Sequence, residues 1–335
     1  MTSANKDLFL KLQQVIKGAQ NILLTCHINP DEDSVGSVLA LMHFLISQGK
    51  KVTAIAGDTA WSGQYDCLPG AELIIKKSLI EIEVDDIDLF IITDCSSLDR
   101  VSGLPVGQEK IKQLNTFVID HHLSNDKFGD FNLVIPDSSA TVQIIYDFFE
   151  FIGWSPTKEV AICLLVGLYG DTMNFVTQST SAKTLKTASV LASLEPDFQK
   201  YLTLVFKRQP IDIIFQGLAL SKVETFFDDR VAIATINLSD LEKKNIPSEL
   251  AGAGQIAYLL SSVKGWEIGA CLMEEADGET KVSLRSQNSD EFNLVELAKQ
   301  LGGGGHPGAG GAVLPYSPAE AKEKLLVEIK NYFPI

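Results

Sequence analysis

The first half of the chain alternates short apolar runs with longer segments in which apolar residues recur every three or four positions. The short runs are NILLTCHI, KVTAIAGD, DLFIITDCS and TFVIDHH, and the periodic segments include SVGSVLALMHFLISQG and ATVQIIYDFFEFIG. Short runs of this kind predict buried β-strands, and the longer period predicts amphipathic helices between them. Because strands separated by helices form βαβ units, the pattern predicts an α/β fold with a largely parallel sheet and helices on both faces.

The second half begins with a helical stretch over residues 181–228, which Pro196 and Pro210 interrupt. Strand-like runs then return in RVAIATINL, WEIGACLMEE and ETKVSLRSQ, and the helical segment NLVELAKQL follows them. We therefore predict three parts: a parallel-sheet domain over residues 1–195, a helical connector over residues 196–228 and a smaller α/β domain over residues 229–335.

Composition narrows the class of protein. A chain of 335 residues with 45% hydrophobic and 21% charged residues is typical of a globular protein with two domains. The N-terminal MTSANKDLFLKLQQVIKGAQ predicts an amphipathic helix and not a signal peptide, and the longest apolar stretch, AICLLVGLYG, is too short to span a bilayer. Five cysteines without a C-x-x-C pair predict reduced thiols. We expect a cytoplasmic protein that does not bind membranes.

The net charge restricts the substrates. It is −15, and no Lys/Arg-rich run occurs anywhere in the chain. Proteins that bind long nucleic acid ordinarily carry a basic stripe that neutralises many phosphates. We therefore expect no long nucleic acid as a partner, and a phosphate substrate must be short or bound through a metal.

Aspartate and histidine gather at four points where apolar runs end. Ligands of parallel sheets bind at the carboxyl ends of the strands, so these clusters should converge on one crevice. A lone carboxylate at the end of a buried strand is costly unless it binds a cation or hydrogen-bond donors, and carboxylate with imidazole suits manganese, iron or zinc. We predict a binuclear metal site formed from these clusters: His27, Asp31 and Asp33; Asp94; Asp120, His121 and His122; and Asp171.

The first cluster has a simpler explanation when it is taken alone. Asp31 and Asp33 stand where a helix begins, and acidic residues at a helix N-terminus commonly cap it. His27 would then be an ordinary buried histidine. The other three clusters favour the metal site over this alternative.

The segment GGGGHPGAGG also has two interpretations. Its composition is that of a flexible linker. However, it lies between the helical NLVELAKQL and the apolar AVLP, and glycines let backbone N–H groups approach a phosphate closely. We predict a phosphate site formed by Gly303, Gly304, Gly305 and His306, with Arg285 on the strand KVSLRS offering a guanidinium fork. Arg100 in SSLDR could also reach substrate, but an ordinary solvated arginine is the favoured interpretation.

Together these motifs resemble a known family. HINPDEDSVGS, TDCSS, VIDHH and GDTMNF match, in order, the four motifs of the DHH phosphoesterases, and SLRS with GGGGHPGAGG matches the associated DHHA1 domain. The resemblance covers nearly the whole chain and is greatest to the short bacterial nanoRNases, or pAp phosphatases. It implies hydrolysis of oligonucleotides of two to five units to 5′-mononucleotides, and of 3′-phosphoadenosine 5′-phosphate to AMP. Nucleases of the RecJ type share the motifs but carry further nucleic-acid-binding parts.

The resemblance also assigns the metal ligands. It implies two Mn²⁺ ions per active site, with Mg²⁺ and Co²⁺ as alternatives, and a bridging carboxylate between them. One ion would be bound by His27, Asp31 and Asp94, and the other by Asp33, Asp94, His121 and Asp171, so that Asp94 bridges.

The resemblance also assigns roles to two further residues, and the sequence departs from the family pattern at two places. Asp120 would orient a histidine, and His122 would act at the scissile phosphate. Glu32 stands where the family usually has a small residue, and Met173 and Asn174 replace a glycine-containing continuation. These departures lie beside predicted ligands, so they bear on metal preference or substrate fit.

Three other functions use the same motifs. Hydrolysis of a cyclic dinucleotide is the main alternative, because the same residues would perform it. Inorganic pyrophosphatases share the four motifs but lack the SLRS and glycine-rich features, and a non-catalytic nucleotide sensor would have lost a ligand that this chain retains. The sequence leaves open whether the chain forms a homodimer.

Overall fold

A computed structural model describes residues 3–55, 57–59, 63–248 and 251–333. The chain divides into two compact units, Met1–Lys207 and Arg208–Ile335. The division falls inside the segment 196–228 that the sequence analysis sets apart as a connector. Within the described residues, no helix has the length and apolar character needed to cross a membrane.

The first unit is built on a sheet of five parallel strands in the order β2-β1-β3-β4-β5. α-Helices precede, separate and follow these strands along the chain, and the helix between the first two strands is one that the periodicity predicts. The strands are β1 Asn21–Thr25, β2 Lys51–Ala54, β3 Leu89–Thr93, β4 Thr116–Asp120 and β5 Phe131–Val134. The helices are α1 Ser3–Gly18, α2 Glu32–Ser47, α3 Leu98–Val101, α4 Pro105–Ile111, α5 Thr141–Phe151, α6 Lys158–Asp171, α7 Ala182–Leu194 and α8 Phe198–Val205.

The three central strands, β1, β3 and β4, are buried on both faces, which explains why they are largely apolar. In β3, Ile91 packs into the larger core with residues of α1, α2, α5 and α6. Its neighbours Phe90 and Ile92 point the other way, into a smaller core with residues around α3 and α4. The predicted α/β class with helices on both faces is therefore confirmed.

The strand order places a topological switch at β1 and β3. From β1 the chain moves outward to β2 on one side, and it then crosses to β3 on the other side of β1. At such a point the connections leaving two neighbouring strands diverge, and the crevice between them is where parallel sheets bind ligands. His27 follows β1 by two residues and Asp94 follows β3 directly, so both lie at this crevice.

The second unit is a mixed six-stranded sheet in the order β10-β11-β9-β8-β7-β6, in which only β7 and β8 run parallel. Two clusters of buried apolar side chains pack against it. The strands are β6 Val223–Phe226, β7 Val231–Ile236, β8 Ile268–Ala276, β9 Glu279–Arg285, β10 Gly304–His306 and β11 Ala309–Leu314. The helices are α9 Pro210–Leu220, α10 Leu238–Lys243, α11 Ala253–Ser261, α12 Leu294–Gln300 and α13 Pro318–Tyr332.

Candidate metal centre

Asp94 lies at the middle of the cluster of acidic and histidine side chains. It is 1% exposed, and its φ of 53° lies in the left-handed region that residues other than glycine seldom adopt. Its N–H donates to the carbonyl of Ile119 at 2.8 Å, so β4 holds the backbone in this conformation. Strained backbone of this kind persists only where the surrounding structure determines it, and it is common at functional sites.

The two carboxylate oxygens of Asp94 face different partners. Oδ2 lies 3.5 Å from His27 Nε2. Oδ1 lies 3.7 Å from His121 Nε2 and 3.7 Å from His122 Nδ1. Asp94 therefore belongs to two groups of candidate ligand atoms, one with His27 and Asp31 and the other with His121 and His122.

The first group consists of His27, Asp31 and Asp94, whose ligand atoms all lie within 4.8 Å of one another. Asp31 is the N-cap of α2, where one oxygen accepts the N–H of Ser34 at 3.0 Å. Its other oxygen lies 3.6 Å from His27 Nε2. Asp31 thus caps the helix and also contributes to the group, so the two interpretations of this residue are compatible.

The second group consists of Asp33, His121 and Asp171, and His121 links it to Asp94 Oδ1. His121 Nε2 lies 3.9 Å from Asp33 Oδ2 and 3.7 Å from Asp171 Oδ2. Asp33 does not cap its own helix, because its two oxygens accept the backbone N–H groups of Thr141 at 2.6 Å and Val142 at 2.9 Å, at the start of α5. The capping alternative is therefore wrong for this residue.

Burial and neighbouring charges shift the pKa values of several of these groups. Burial, followed by the charge of Asp94, raises the pKa of Asp33 well above its ordinary value. Burial also raises the pKa of Asp171 to about 7, although His121 opposes the shift. Burial by itself lowers the pKa of His27, but Asp31 and Asp94 outweigh it and raise that pKa to about 10. Imidazole and carboxylate donors under this mutual repulsion fit divalent cations, which would relieve it.

His122 is oriented by the buried residue Asp120. The Nδ1 atom of His122 lies 2.7 Å from Asp120 Oδ1, and Asp120 is fully buried. The other oxygen of Asp120 accepts the side-chain amide of Asn125 at 2.7 Å, and that amide also donates to the carbonyl of Cys95 at 3.0 Å. Burial lowers the pKa of His122, but Asp120 and then Asp94 outweigh it and raise the pKa to about 9.

Sequence reasoning missed three polar residues of this site. Asn125 is one, and the hydroxyl groups of Ser34 and Thr141 are the others. Ser34 Oγ lies 2.7 Å from His27 Nε2 and donates toward Asp31 Oδ1 and Asp94 Oδ2, both at 2.9 Å. Its position directly after the acidic cluster was the available signal, whereas nothing local marks Thr141 or Asn125.

Two further residues beside the site, Arg100 and Glu32, have contacts that the sequence analysis does not predict. Arg100 is half-buried, and its Nη2 lies 3.3 Å from His27 Nδ1, so it is not an ordinary solvated arginine. The carboxylate of Glu32 accepts the hydroxyl of Tyr65 at 3.3 Å and belongs to neither group of ligand atoms. A Cβ added at Gly170 would lie 2.6 Å from the Cβ of Glu32, so the glycine beside Asp171 leaves space for the larger residue.

The other departure forms a left-handed turn after Asp171. Met173, Asn174 and Phe175 have φ values of 46°, 65° and 66°. Their N–H groups donate back to Gly170 O, Tyr169 O and the hydroxyl of Thr172. The turn ends α6 directly after the predicted ligand, without the glycine that usually permits this backbone.

In the second unit the glycine-rich segment is a hairpin of β10 and β11 and not a linker. A Cβ added at Gly303 would lie 1.9 Å from the carbonyl oxygen of Gly311, and one at Gly305 would lie 2.1 Å from that of Ala309. The strands therefore approach more closely than side chains allow. Gly304 and His306 are exposed on β10. Arg285 pairs with Ala309 across the neighbouring strands, and burial lowers its pKa.

Comparison with known protein families identifies two domains in the chain. Residues 21–168 match the family described as DHH family, N-terminal domain. Residues 231–334 match the DHHA1 domain. The chain therefore carries a DHH domain followed by a DHHA1 domain, which confirms the resemblance seen in the motifs.

Three proteins show how far the likeness extends. The chain is 28% identical over 331 residues to the bifunctional oligoribonuclease and PAP phosphatase of Thermus thermophilus, covering 95% of this chain and 92% of that protein. It is 26% identical to the cyclic-di-AMP phosphodiesterase of Listeria monocytogenes, covering 96% of this chain and 49% of that protein. The crystal structure of an exopolyphosphatase-related protein from Bacteroides fragilis has the same fold, with a TM-score of 0.85, 24% identity and 97% of each chain covered.

Proposed function

We propose that this protein is a metal-dependent phosphoesterase with two cations per active site. It hydrolyses oligonucleotides of two to five units to 5′-mononucleotides, and 3′-phosphoadenosine 5′-phosphate to AMP and phosphate. The observation that carries the proposal is the position of Asp94, whose two oxygens face two separate groups of candidate ligands. The similarity over nearly the whole chain to an oligoribonuclease and PAP phosphatase supports the substrate class.

The first group would bind one cation through His27, Asp31 and Asp94 Oδ2, and the second would bind another through Asp94 Oδ1 and the ligands Asp33, His121 and Asp171. Two bound divalent cations supply an activated water and stabilise charge on the attacking and leaving oxygens at phosphorus. Mn²⁺ suits the mixture of imidazole and carboxylate, and Mg²⁺ and Co²⁺ are alternatives.

The remaining groups act directly on the substrate. His122 donates a hydrogen bond to a phosphoryl oxygen or a proton to the leaving oxygen, which is the role of a general acid. Asp120 accepts a hydrogen bond from Nδ1 and thereby directs Nε2 of the imidazolium toward the reacting phosphate. When the bond to O3′ breaks, a dinucleotide yields a 5′-mononucleotide and a free 3′-hydroxyl, and the same cleavage converts 3′-phosphoadenosine 5′-phosphate to AMP.

Recognition of a phosphate that does not react is assigned to the second unit. Arg285 offers a planar fork of donors, and the exposed Gly303–His306 segment offers backbone N–H groups and an imidazole. The net charge of −15 gives long strands no backbone attraction, so substrates remain short.

Product analysis of the Mn²⁺-loaded protein tests the proposal. The panel contains a dinucleotide, a pentanucleotide, a 24-mer, a cyclic dinucleotide and 3′-phosphoadenosine 5′-phosphate, and Asp94→Ala is the matched control. We expect hydrolysis of the dinucleotide and of 3′-phosphoadenosine 5′-phosphate, with rates falling steeply beyond about five nucleotides. Digestion of the 24-mer at the rate of the dinucleotide would contradict the length limit.

A second candidate function is hydrolysis of a cyclic dinucleotide, with linear dinucleotide as its product. The likeness to the cyclic-di-AMP phosphodiesterase, which spans 96% of this chain, favours it. The same ligands would perform the reaction, so the site chemistry does not separate the two functions. Initial rates on cyclic and linear dinucleotides with the same bases separate the two functions. Faster opening of the cyclic substrate would support the second one.

A further inference from the structure

Thr141 connects two predicted ligands that lie far from it in the sequence. It is fully buried at the first position of α5, a helix that supplies none of the predicted ligands. Its hydroxyl donates to Asp94 Oδ1 at 3.0 Å, and its backbone N–H donates to Asp33 Oδ2 at 2.6 Å. The start of α5 therefore contacts one ligand at the end of β3 and another in the first turn of α2.

The hydroxyl of Thr141 completes the hydrogen bonding of Asp94. Oδ2 lies 2.9 Å from the hydroxyl of Ser34, whose one proton is shared with Asp31 Oδ1, and Oδ1 receives the hydroxyl of Thr141. Each oxygen therefore has one hydroxyl within hydrogen-bond distance, which leaves a lone pair on each for a cation. A carboxylate with one donor at each oxygen cannot rotate about its Cβ–Cγ bond without losing both hydrogen bonds.

We propose that Thr141 is a positioning residue of the metal centre. Its hydroxyl holds Asp94 Oδ1 toward the group of Asp33, His121 and Asp171, and so sets the affinity for the cation bound there. The inference rests on the proposed metal-dependent function and adds a determinant of metal affinity that the four family motifs do not contain.

The physical reason is preorganisation. Asp94 and Asp33 are both about 1% exposed, and a carboxylate without a hydrogen-bond donor is free to rotate when no cation is bound. One residue prevents both movements, through its side chain for Asp94 and through its main chain for Asp33. Partners of this kind, which touch ligands and not the metal, typically change metal affinity by about 10–100-fold when they are removed.

Direct Mn²⁺ binding tests the inference without any substrate. Free Mn²⁺ is followed by electron paramagnetic resonance during titration of the metal-free protein. Thr141→Val removes the hydroxyl but keeps the branched shape and the backbone N–H that Asp33 accepts. We expect two sites in the unchanged protein, and in Thr141→Val one site weakened by about 10–100-fold.

Two matched variants separate positioning from a loss of stability. Thr141→Ser restores the hydroxyl and should bind both ions within about threefold of the unchanged protein, since the donor to the ligand is kept. Thr280→Val removes an equally buried hydroxyl, which donates to the carbonyl of Tyr316 in the second unit. It should lower the melting temperature without changing Mn²⁺ affinity.

The outcomes distinguish the inference from the function beneath it. If the unchanged protein binds two ions and Thr141→Val binds them equally well, the role of Thr141 is refuted and the metal centre stands. If the unchanged protein binds no Mn²⁺, the proposed function itself fails. Should Thr141→Val not fold, Thr141→Ala removes the same hydroxyl with less bulk, and unchanged affinity in that variant would equally refute the inference.

Discussion

The candidate functional residues of the two units differ in how the protein holds them. In the first unit the candidate ligands Asp33 and Asp94 are buried, and each accepts hydrogen bonds from residues on other elements. In the second unit the residues Gly304 to His306 are exposed, and main-chain pairing of a hairpin holds them.

The difference fits the ligands that the two units are proposed to bind, which are cations in the first and a phosphate in the second. Several carboxylates in one place repel one another, so a metal centre needs burial and fixed donors to keep them in position before the cation arrives. A phosphate is bound by donors that can be the backbone itself, which requires close approach and hence glycine. Substitutions in the first unit should therefore affect chemistry and metal, whereas those in the second should affect recognition and local stability.

The largest effect should come from Asp94→Ala. Loss of a carboxylate that serves both groups should remove both cations and lower hydrolysis on the order of 10⁴-fold or more, the scale of losing an essential catalytic group. Initial rates on a dinucleotide, together with Mn²⁺ stoichiometry, measure this. Retained far-ultraviolet circular dichroism is the control for folding. Full activity in the variant or in metal-stripped protein would exclude the binuclear mechanism.

Gly303→Ala should destabilise the hairpin of the second unit without changing the Mn²⁺ affinity of the first. Its Cβ would lie 1.9 Å from a backbone oxygen of β11, so the hairpin must open, at a cost of about 3 kcal/mol. Hydrogen exchange of β9–β11 should rise while Mn²⁺ affinity stays constant. Gly304→Ala is the matched control, because nothing lies within 4 Å of its added Cβ, and it should exchange like the unchanged protein. Altered Mn²⁺ affinity in Gly303→Ala would contradict the assignment of metal binding to the first unit alone.

Arg285→Ala should weaken binding more than catalysis. Loss of a charge-assisted hydrogen bond should cost about 1–3 kcal/mol, mostly in KM for the dinucleotide. Bis-p-nitrophenyl phosphate, a diester without a distal nucleotide phosphate, should be hydrolysed nearly as well by Arg285→Ala and by His306→Ala as by the unchanged protein. If either variant loses activity on this small diester as severely as Asp94→Ala does, the glycine-rich segment belongs to the catalytic machinery.

The smallest effect should come from Gly170→Ala, and a second substitution should reverse it. The added Cβ meets the Cβ of Glu32 at 2.6 Å, which should cost about 1–3 kcal/mol of stability and displace the flanking ligands. Glu32→Gly in the same chain should restore the melting temperature and Mn²⁺ affinity. Gly217→Ala on α9, where the added Cβ meets nothing within 4 Å, should be neutral or stabilising. No recovery in the double variant would refute the pairing of Glu32 with Gly170.

The strand and helix pattern of the first unit could be predicted because local sequence carries it. Strands buried on both faces are continuously apolar, as Leu89–Thr93 is, and helices repeat at their own period. The cluster of acidic and histidine residues could be anticipated because each member stands near the end of a strand or at a terminus of a helix, and the ends of parallel strands meet at one edge. β5 was missed, because FNLV is short and only partly buried.

The sequence by itself determined which residues carry charge at the ends of buried strands, since the cost of burying a lone carboxylate is a property of the residue and its immediate neighbours. Only the tertiary structure decided how those carboxylates are held. Thr141 meets Asp33 across 108 positions and Asp94 across 47, and Gly303 is required by the carbonyl of a strand that follows the turn. Hydrogen bonds and close approaches between distant elements leave no periodic trace in the chain, because they depend on how the elements pack and not on the local run of residues that forms each one.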